Sequence, residues 1–494
     1  MAVVDVPQIP ARPARPFVPP RHGTPRPAPS AGPSRTPATR DRELVPRRRA
    51  STAPVPGAAA PARRDVFVDA VRALATLAVL SVHWLMPEVT WDGERLGIGN
   101  ALAHGGAWTL TWVLQVLPLL FFAAGASAAY QLWRPGTASG PDGAARLPAT
   151  GRPGAAPGLV AAGWDVVRRR MPRIWKPVAA FVGAWAVAAV VLVAVGVPET
   201  AVLQVARIAP QLLWFLGVYL LLLALTPALL RAYRAWGPRT VVVVVAAPLL
   251  VDVLRFAAGL EQVAVANVLL GWGVPYVLGI VYVDLVRRGA LPSRRTLVLV
   301  AAGALAVMAT LVVAGPYPLS LIGMPGDAIS NLGPPTALAV THAVLQVSVA
   351  LAVRDVVVRW AQGRGATLVT WVAGRSMTLY LWHLTAMFVV LGVVLLGLGT
   401  PLPASWSADW WASRPLWFGA AALVLGALVL VFGRFEAGAP RSARASRGAR
   451  APRGARAPSG AGSVLVSSAG RGPSTAGGAA ARPAPERAPV PAGR

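Results

Sequence analysis

Two ionisable residues, Arg72 and His83, lie within the first long apolar run of the chain, residues 66–86. They are eleven positions apart, and at about 100° per residue this spacing places both side chains on one helix face, roughly 16 Å apart along the axis. Such groups are costly inside a segment that is otherwise suited to span a bilayer, so they indicate a function. Neutral imidazole can remove a proton from a hydroxyl group, and we predict this general-base role for His83.

Less specific explanations exist for both residues. Asp69 precedes Arg72 by one helical turn, so Arg72 could be a snorkelling residue that pairs with this carboxylate at the end of the helix. His83 could make a structural hydrogen bond beside Trp84. Its position well inside the apolar run favours the chemical role, with Asp69 as a supporting residue for Arg72.

A second candidate group lies in the segment "RRRMPRIWKP", ahead of the third long apolar run. Arg170 and Arg173 are three positions apart, and on a helix their guanidinium groups would share a face. Paired guanidinium groups suit phosphate oxygens. A basic cluster beside a span is also typical of membrane orientation alone.

A third group lies in "GRSMTLYLWHL", where Tyr380 and His383 follow Arg375. Their three-residue spacing would place the Tyr380 and His383 side chains within reach of a common ligand, although a buried structural pair fits equally well. The other histidines are not spaced as metal ligands, so we predict no metal site. They are His22, His104 and His342.

The composition defines the elements that must position these residues. The 494 residues are 55% hydrophobic and only 13% charged, which predicts an all-α integral membrane protein. Windows of about 20 apolar residues predict ten transmembrane helices. They lie near residues 66–88, 108–132, 174–196, 209–230, 239–257, 263–284, 296–314, 333–353, 368–397 and 415–433.

The distribution of charge predicts an orientation. Arginine clusters occupy alternate loops, whereas the intervening loops carry acidic residues. The positive-inside rule then places both termini in the cytoplasm of a multi-pass protein. The net charge of +28 indicates attraction to anionic membrane lipid, and nucleic-acid binding is not expected. The chain has no cysteine, which excludes disulfides and a thiolate nucleophile.

Composition also divides the chain. Residues 1–62 and 437–494 are rich in Arg, Pro and Ala, which predicts disordered basic tails on either side of a transmembrane domain at 63–436. A flexible cytoplasmic linker is expected at about 135–158. In the second span, residues 125–128 are small and suited to close helix packing, without a chemical role. Tryptophans in the outer loops predict an interfacial aromatic belt, with a sugar-stacking platform as the alternative. They are Trp91, Trp406, Trp410 and Trp411.

Four motifs in this order resemble the acyltransferase 3 family of integral membrane O-acyltransferases. They are "RDVFVDAVRALATLAVLSVHW", "PLLFFAAGASAAY", "VVRRRMPRIWKP" and "SMTLYLWHL". The resemblance implies that His83 is the catalytic histidine and that Arg72, Arg170 and Arg173 bind the donor.

The same resemblance implies a reaction and its partners. A cytoplasmic acyl-CoA would donate an acyl group, expected to be acetyl, to a hydroxyl of a surface polysaccharide, glycolipid or cell-wall component. Acyl-CoA is then a substrate, and no bound cofactor is expected. The expected location is a bacterial plasma membrane. The alternative is a polytopic transporter or flippase of a lipid-linked or acidic solute, which would also place ionisable residues on interior helix faces.

Overall fold

A computed structural model describes residues 65–132 and 158–436. All of them belong to the unit Arg64–Arg494. The two predicted disordered tails, 1–62 and 437–494, lie outside the described residues, as does nearly all of the predicted linker at 135–158.

Helices dominate the described ranges, and the prediction of an all-α membrane protein is confirmed. The α-helices are Val66–Leu85 (α1), Thr109–Leu114 (α2), Leu117–Leu132 (α3), Leu159–Arg170 (α4), Trp175–Ala194 (α5), Glu199–Ile208 (α6), Leu213–Trp236 (α7), Arg239–Phe256 (α8), Asn267–Arg288 (α9), Arg294–Ala314 (α10), Ala337–Ala352 (α11), Arg354–Gln362 (α12), Ala366–Gly374 (α13), Ser376–Gly392 (α14) and Ala408–Phe432 (α15). The strands are Pro87–Trp91 (β1) and Leu96–Asn100 (β2).

The number of spans differs from the predicted ten. Within the described ranges, eight helices are long and apolar enough to cross a membrane, or nine if α11 and α12, which meet at a 59° bend, count as one span. The predicted span at 239–257 is helical as α8, but it carries three charged residues. They are Arg239, Asp252 and Arg255.

Helix α1 lies between the two large apolar clusters. Asp65 caps its first turn, because the Asp65 carboxylate accepts hydrogen bonds from the backbone N–H groups of Phe67 and Val68. One side of α1, including Phe67, packs with α3, α7 and α9, and the other side, including Trp84, packs with α14 and α15. This central position fixes the helix that carries Arg72 and His83.

The α3–α9 contact depends on two glycines. A Cβ atom at Gly125 would overlap the backbone carbonyl of Tyr276, and one at Gly279 would overlap that of Phe122. The two backbones therefore approach more closely than any larger residue allows. The close packing predicted for the small residues of the second span is present here.

A β-hairpin, which the sequence analysis missed, follows α1. Strands β1 and β2 pair antiparallel from Pro87 opposite Asn100 to Trp91 opposite Leu96. Asp92 accepts hydrogen bonds from the backbone N–H groups of Arg95 and Glu94, which lower the pKa of its carboxyl. The Asp-Gly pair between two short β-rich runs was the signal that could have identified the turn.

Candidate active site

The end of the molecule that carries the β-hairpin, residues 87–100, contains a cavity of about 1040 Å³. We call this end the hairpin end. His83, near the C-terminus of α1, lines the cavity and is half-buried. Most of the remaining wall is apolar and comes from α5, α6, α14 and the hairpin. Its few polar side chains include Asn100, Thr111, Gln115, Gln211 and Thr385.

His383 lies directly behind His83. The centroids of the two imidazole rings are 5.0 Å apart, and the rings are inclined by 49°. His383 is fully buried. The indole N–H of Trp84 donates a hydrogen bond of 3.0 Å to the backbone carbonyl of His383, which fixes α1 against α14 next to this pair. The structure thus joins two histidines that are 300 positions apart in the sequence.

The hydrogen bonds of His383 define its tautomer. Its Nδ1 lies 2.7 Å from the backbone carbonyl oxygen of Tyr380. Because a carbonyl oxygen only accepts, Nδ1 must carry the proton, and Nε2 of the neutral ring is an acceptor. Nε2 is buried and has no hydrogen-bond partner among the described residues. A buried acceptor without a partner is costly, and one beside a cavity-lining histidine suits proton handling.

Tyr380 contributes to this site through position. Its ring lines the cavity, and its hydroxyl donates a hydrogen bond of 2.9 Å to the backbone carbonyl of Leu212. The bond ties α14 to the turn that precedes α7. Tyr380 and His383 are neighbours as predicted, with ring centroids 6.0 Å apart. In this structure, however, the Tyr380 hydroxyl is directed to a backbone carbonyl.

Arg72 lies near the other end of α1, which we call the arginine end and define by Arg72 and Arg170. Its Nη1 is 3.3 Å from the Asp69 carboxylate, and its Nη2 donates a hydrogen bond of 2.5 Å to the Ser127 hydroxyl. Asp69 therefore pairs with Arg72. Ser127, which the sequence analysis assigned to close helix packing, also binds the guanidinium group of Arg72 through its hydroxyl.

Arg170 reaches the same helix, whereas Arg173 does not. Arg170 Nη1 donates to Gln131 Oε1 over 3.5 Å, and Gln131 follows Ser127 by about one turn of α3. Helix α4 ends at Arg170, and Arg173 ends the short 3₁₀ turn that follows it. Arg173 is exposed and makes no hydrogen bond or ion pair within the described ranges. Arg72 and Arg170 thus converge on one face of α3.

A further polar cluster at the arginine end was missed by the sequence analysis. The second carboxylate oxygen of Asp65 accepts hydrogen bonds from the hydroxyl groups of Tyr130 and Tyr282, at 2.6 and 2.9 Å. Arg354 Nε donates to the Tyr282 hydroxyl at 3.2 Å. Asp65 therefore caps α1 and also joins it to α3, α9 and α12. Its position directly before an apolar run was the only sequence signal for this role.

A small apolar cluster separates the two ends of α1. Ala75, Val79 and Val116 are buried together and contact Leu119 and Leu120. The cavity at the hairpin end extends to Val79, and Arg72 is not part of its lining. The candidate donor residues and the histidine pair therefore lie at opposite ends of α1, which carries Arg72 and His83.

Comparison with known protein families identifies the family of this chain. A family model described as "Acyltransferase domain", that of the acyltransferase 3 group, matches residues 65–433. The matched range starts at the residue that caps α1 and includes the histidine pair, the cavity and the arginine end. No curated protein and no solved structure matches the chain.

Proposed function

This chain belongs to the acyltransferase 3 family and is a membrane acyltransferase, and we propose that it acetylates a hydroxyl group outside the cytoplasm. The donor in this proposal is cytoplasmic acetyl-CoA. The acceptor is a surface polysaccharide, a glycolipid or a cell-wall component. The location is the plasma membrane of a bacterium, with the arginine end in the cytoplasm and the hairpin end outside.

The observation that carries the proposal is the pair of His83 and His383 at the wall of the cavity. His83 can contact a molecule in the cavity, while the unpartnered Nε2 of His383 is buried behind it. An N–H group of His83 directed at this acceptor would leave the other ring nitrogen of His83 as a base. His383 is then a positioning residue for His83.

The proposed reaction transfers one proton from the acceptor hydroxyl to His83 and then from His83 to the leaving thiolate. His83 accepts the proton of the acceptor hydroxyl, and the oxygen forms a bond with the carbonyl carbon of the thioester. The carbon–sulfur bond then breaks, and the thiolate leaves with the proton that His83 received. The products are an O-acetyl ester and the free thiol of CoA. Histidine suits both steps, because with an ordinary pKa near physiological pH its neutral ring can accept the proton and its protonated ring can return it.

The arginine end supports the donor half of the proposal. Arg72 and Arg170 converge on α3, and guanidinium groups bind phosphate oxygens through charge-assisted hydrogen bonds. Arg173 is exposed three residues after Arg170 and adds a positive charge near the arginine end. We assign the phosphates of CoA to these three arginines, and Asp69 and Ser127 orient the first of them. The thioester end of CoA must then pass the cluster of Ala75, Val79 and Val116 to reach His83.

The proposed orientation requires an even number of spans. With both termini in the cytoplasm, α8 must serve as the tenth crossing, in addition to eight apolar spans and the bent pair α11–α12. Its charged residues are compatible with this role, because Asp252 is buried and accepts hydrogen bonds from Asn267, Tyr317 and the backbone of Ala337.

Mass spectrometry of surface glycans and glycolipids tests the proposal. The native host lacking this gene would be complemented with wild type, His83→Ala or His104→Ala. His104 is exposed and pairs with Glu88 on the hairpin, so His104→Ala is the matched control. Wild type and His104→Ala should restore an O-acetyl group that His83→Ala does not. Full restoration by His83→Ala at equal membrane abundance would refute the catalytic role of His83. Unchanged acylation of glycans and glycolipids in the strain lacking the gene would refute the proposed acceptor class.

A second measurement separates a base from an acyl carrier. Purified wild-type protein would be incubated with acetyl-CoA, quenched, and digested for peptide mass spectrometry. A general base predicts no acetylated peptide that contains His83. An acetylated His83 that forms and decays at the rate of transfer would instead assign the carrier role to this residue.

A further inference from the structure

The cavity beside His83 reaches the surface of the molecule between α5 and α14. Ten residues line the cavity and are also exposed, and six of them lie on α5, α14 and the turn after α14. We call this gap the lateral opening. It is bounded by Ala188 and Leu192 on α5 and by Val389, Val393 and Leu396 on α14 and the turn after it.

The arrangement of side chains explains the gap. Towards the arginine end, α5 and α14 are joined by aromatic contacts of Phe181 with Trp382 and of Trp185 with Phe388, at 5.4 and 6.1 Å between ring centroids. The Trp185 indole also donates to the Thr385 hydroxyl at 3.0 Å. Beyond Trp185, the next cavity-lining residues of α5 are the small Ala188 and Ala189. A π-helical turn, Val393–Gly397, forms the facing edge.

The lateral opening faces hydrocarbon. It lies in two candidate spans, and only 11% of the α5 span is buried within the protein. An apolar cavity that is continuous with the bilayer core will hold a hydrocarbon chain, because water gains no hydrogen bonds from such walls. The polar groups of the cavity, in contrast, include His83 and, on the hairpin, Asn100. The cavity is thus apolar towards the bilayer and polar beside the reactive histidine.

We propose that the acceptor is lipid-anchored, with its hydrocarbon chain in the lateral opening and its hydroxyl-bearing head group beside His83. This inference rests on the proposed function and narrows its acceptor to a glycolipid or lipid-linked sugar. A free polysaccharide would bury polar groups against the apolar walls formed by α5 and α14, which is unfavourable. The acceptor then enters sideways from the membrane, and only its head group leaves the hydrocarbon region.

A binding experiment tests the chain site without requiring catalysis. Since the protein has no cysteine, single substitutions accept a fluorescent bimane label at one position. Full-length Val393→Cys places the label at the lateral opening, and Val187→Cys is the control, because Val187 is exposed on α5 but does not line the cavity. The probe is dodecyl glucoside that carries a nitroxide on its alkyl chain, added to vesicles containing the protein.

The expected result is saturable quenching at Val393 that unlabelled dodecyl glucoside reverses, with only non-saturable quenching at Val187. Quenching that is equal and non-saturable at both positions would overturn the inference, since it would reflect membrane partitioning alone.

Acetyl transfer provides the second test. With acetyl-CoA as donor, the KM for dodecyl glucoside should be at least about tenfold lower than that for methyl glucoside, the effect of roughly two buried methylene groups. Ala188→Trp fills the lateral opening and should raise the KM for dodecyl glucoside about tenfold, whereas Val187→Trp should leave it unchanged.

Equal transfer to both glucosides would overturn the lipid-anchored acceptor but leave the proposed function intact. Saturable quenching without any transfer would support the chain site and contradict the proposed function.

Discussion

The two ends of α1 differ in how far their polar side chains have hydrogen-bond partners. At the arginine end, Arg72 is held by Asp69 and Ser127, and Asp65 accepts hydrogen bonds from two tyrosines. At the hairpin end, His83 faces a cavity and His383 keeps a buried nitrogen without a partner in the described chain. One region is stabilised by satisfied polar groups, and the other retains unsatisfied ones where a substrate can bind.

The neighbours of α1 cause this difference. Its first half is enclosed by α3, α12 and α13, with α3 fixed against α9 by close glycine contacts. Its second half packs on α14 but leaves open the side towards α5 and the hairpin. In the proposed function, α1 therefore holds a donor-binding arginine and a reactive histidine at a constant separation. Substitutions at the two ends should therefore affect different kinetic parameters.

The largest effect is expected at the hairpin end. His83→Ala should lower the rate of acetyl transfer by about 10²- to 10⁴-fold, the usual contribution of a general base. The measurement is the transfer rate of the purified protein in vesicles at saturating acetyl-CoA. His104→Ala should stay near the wild-type rate. A comparable loss in both variants would show that the histidine pair has no special role.

At the arginine end, Arg72→Ala should raise the KM for acetyl-CoA by about 10- to 100-fold, since hydrogen bonds to charged groups contribute about 1.5–3 kcal/mol. Arg72→Lys keeps the charge and should recover part of the affinity. Arg294→Ala removes an exposed arginine outside this site and is the control. If Arg72→Ala instead lowers kcat and leaves the KM for acetyl-CoA unchanged, Arg72 does not bind the donor. The two ends of α1 would then not differ in the kinetic parameter that they affect.

The contact that encloses the arginine end can be tested by stability. Gly279→Ala should destabilise the protein by about 1–3 kcal/mol, because its Cβ would overlap the backbone of α3. Gly273→Ala, in the same helix, meets only Leu222 at 3.8 Å and should be nearly neutral. The midpoint of thermal unfolding in detergent measures both. Equal midpoints would mean that α3 and α9 can separate without cost.

The smallest effect is expected at the edge of the arginine end, on α4. Hydrogen bonds from Arg168 and Arg169 lower the pKa of the Asp165 carboxyl. A lowered pKa stabilises the folded state at pH values above the ordinary aspartate pKa, and this contribution disappears as pH falls through the lowered pKa. Asp165→Asn should thus lower the unfolding midpoint slightly at pH 7 and not at strongly acidic pH. A difference that grows on acidification would contradict this assignment.

Sequence reasoning identified candidate site residues, but it did not identify the residues that pack against them. His83, Arg72 and most spans followed from apolar windows and helical spacing, because these signals are local. The pairing of His83 with His383 depends on how α1 packs against α14, and no periodicity connects positions 300 residues apart. The contact of Ser127 with Arg72 was missed for a similar reason. The sequence alone does not distinguish a serine that only allows close helix packing from one that also binds an arginine.

The bend between α11 and α12 and the break at Arg375 were also beyond the apolar windows. A hydropathy window averages over about 20 residues and cannot detect a change of direction within it. Helix α8 shows the converse case. Its apolar run predicted a span, but its buried Asp252 is accommodated by partners on α9, α11 and the loop before α11. The hydrogen bonds that allow Asp252 to be buried form between distant parts of the chain, so the hydropathy of α8 alone does not predict them.

The packed cluster of Ala75, Val79 and Val116 also lies between Arg72 and the cavity, so in the proposed orientation it is an apolar barrier within the membrane. In an energised membrane, much of the voltage would fall across this short segment, and each elementary charge moved through the whole field costs about 2.3 kcal/mol per 100 mV. In the proposed reaction, the neutral thioester arm of CoA crosses this segment without electrical work, whereas the phosphates of CoA would have to work against or with the field. The membrane voltage would then act on the phosphates at the arginine end but not on the thioester beside His83.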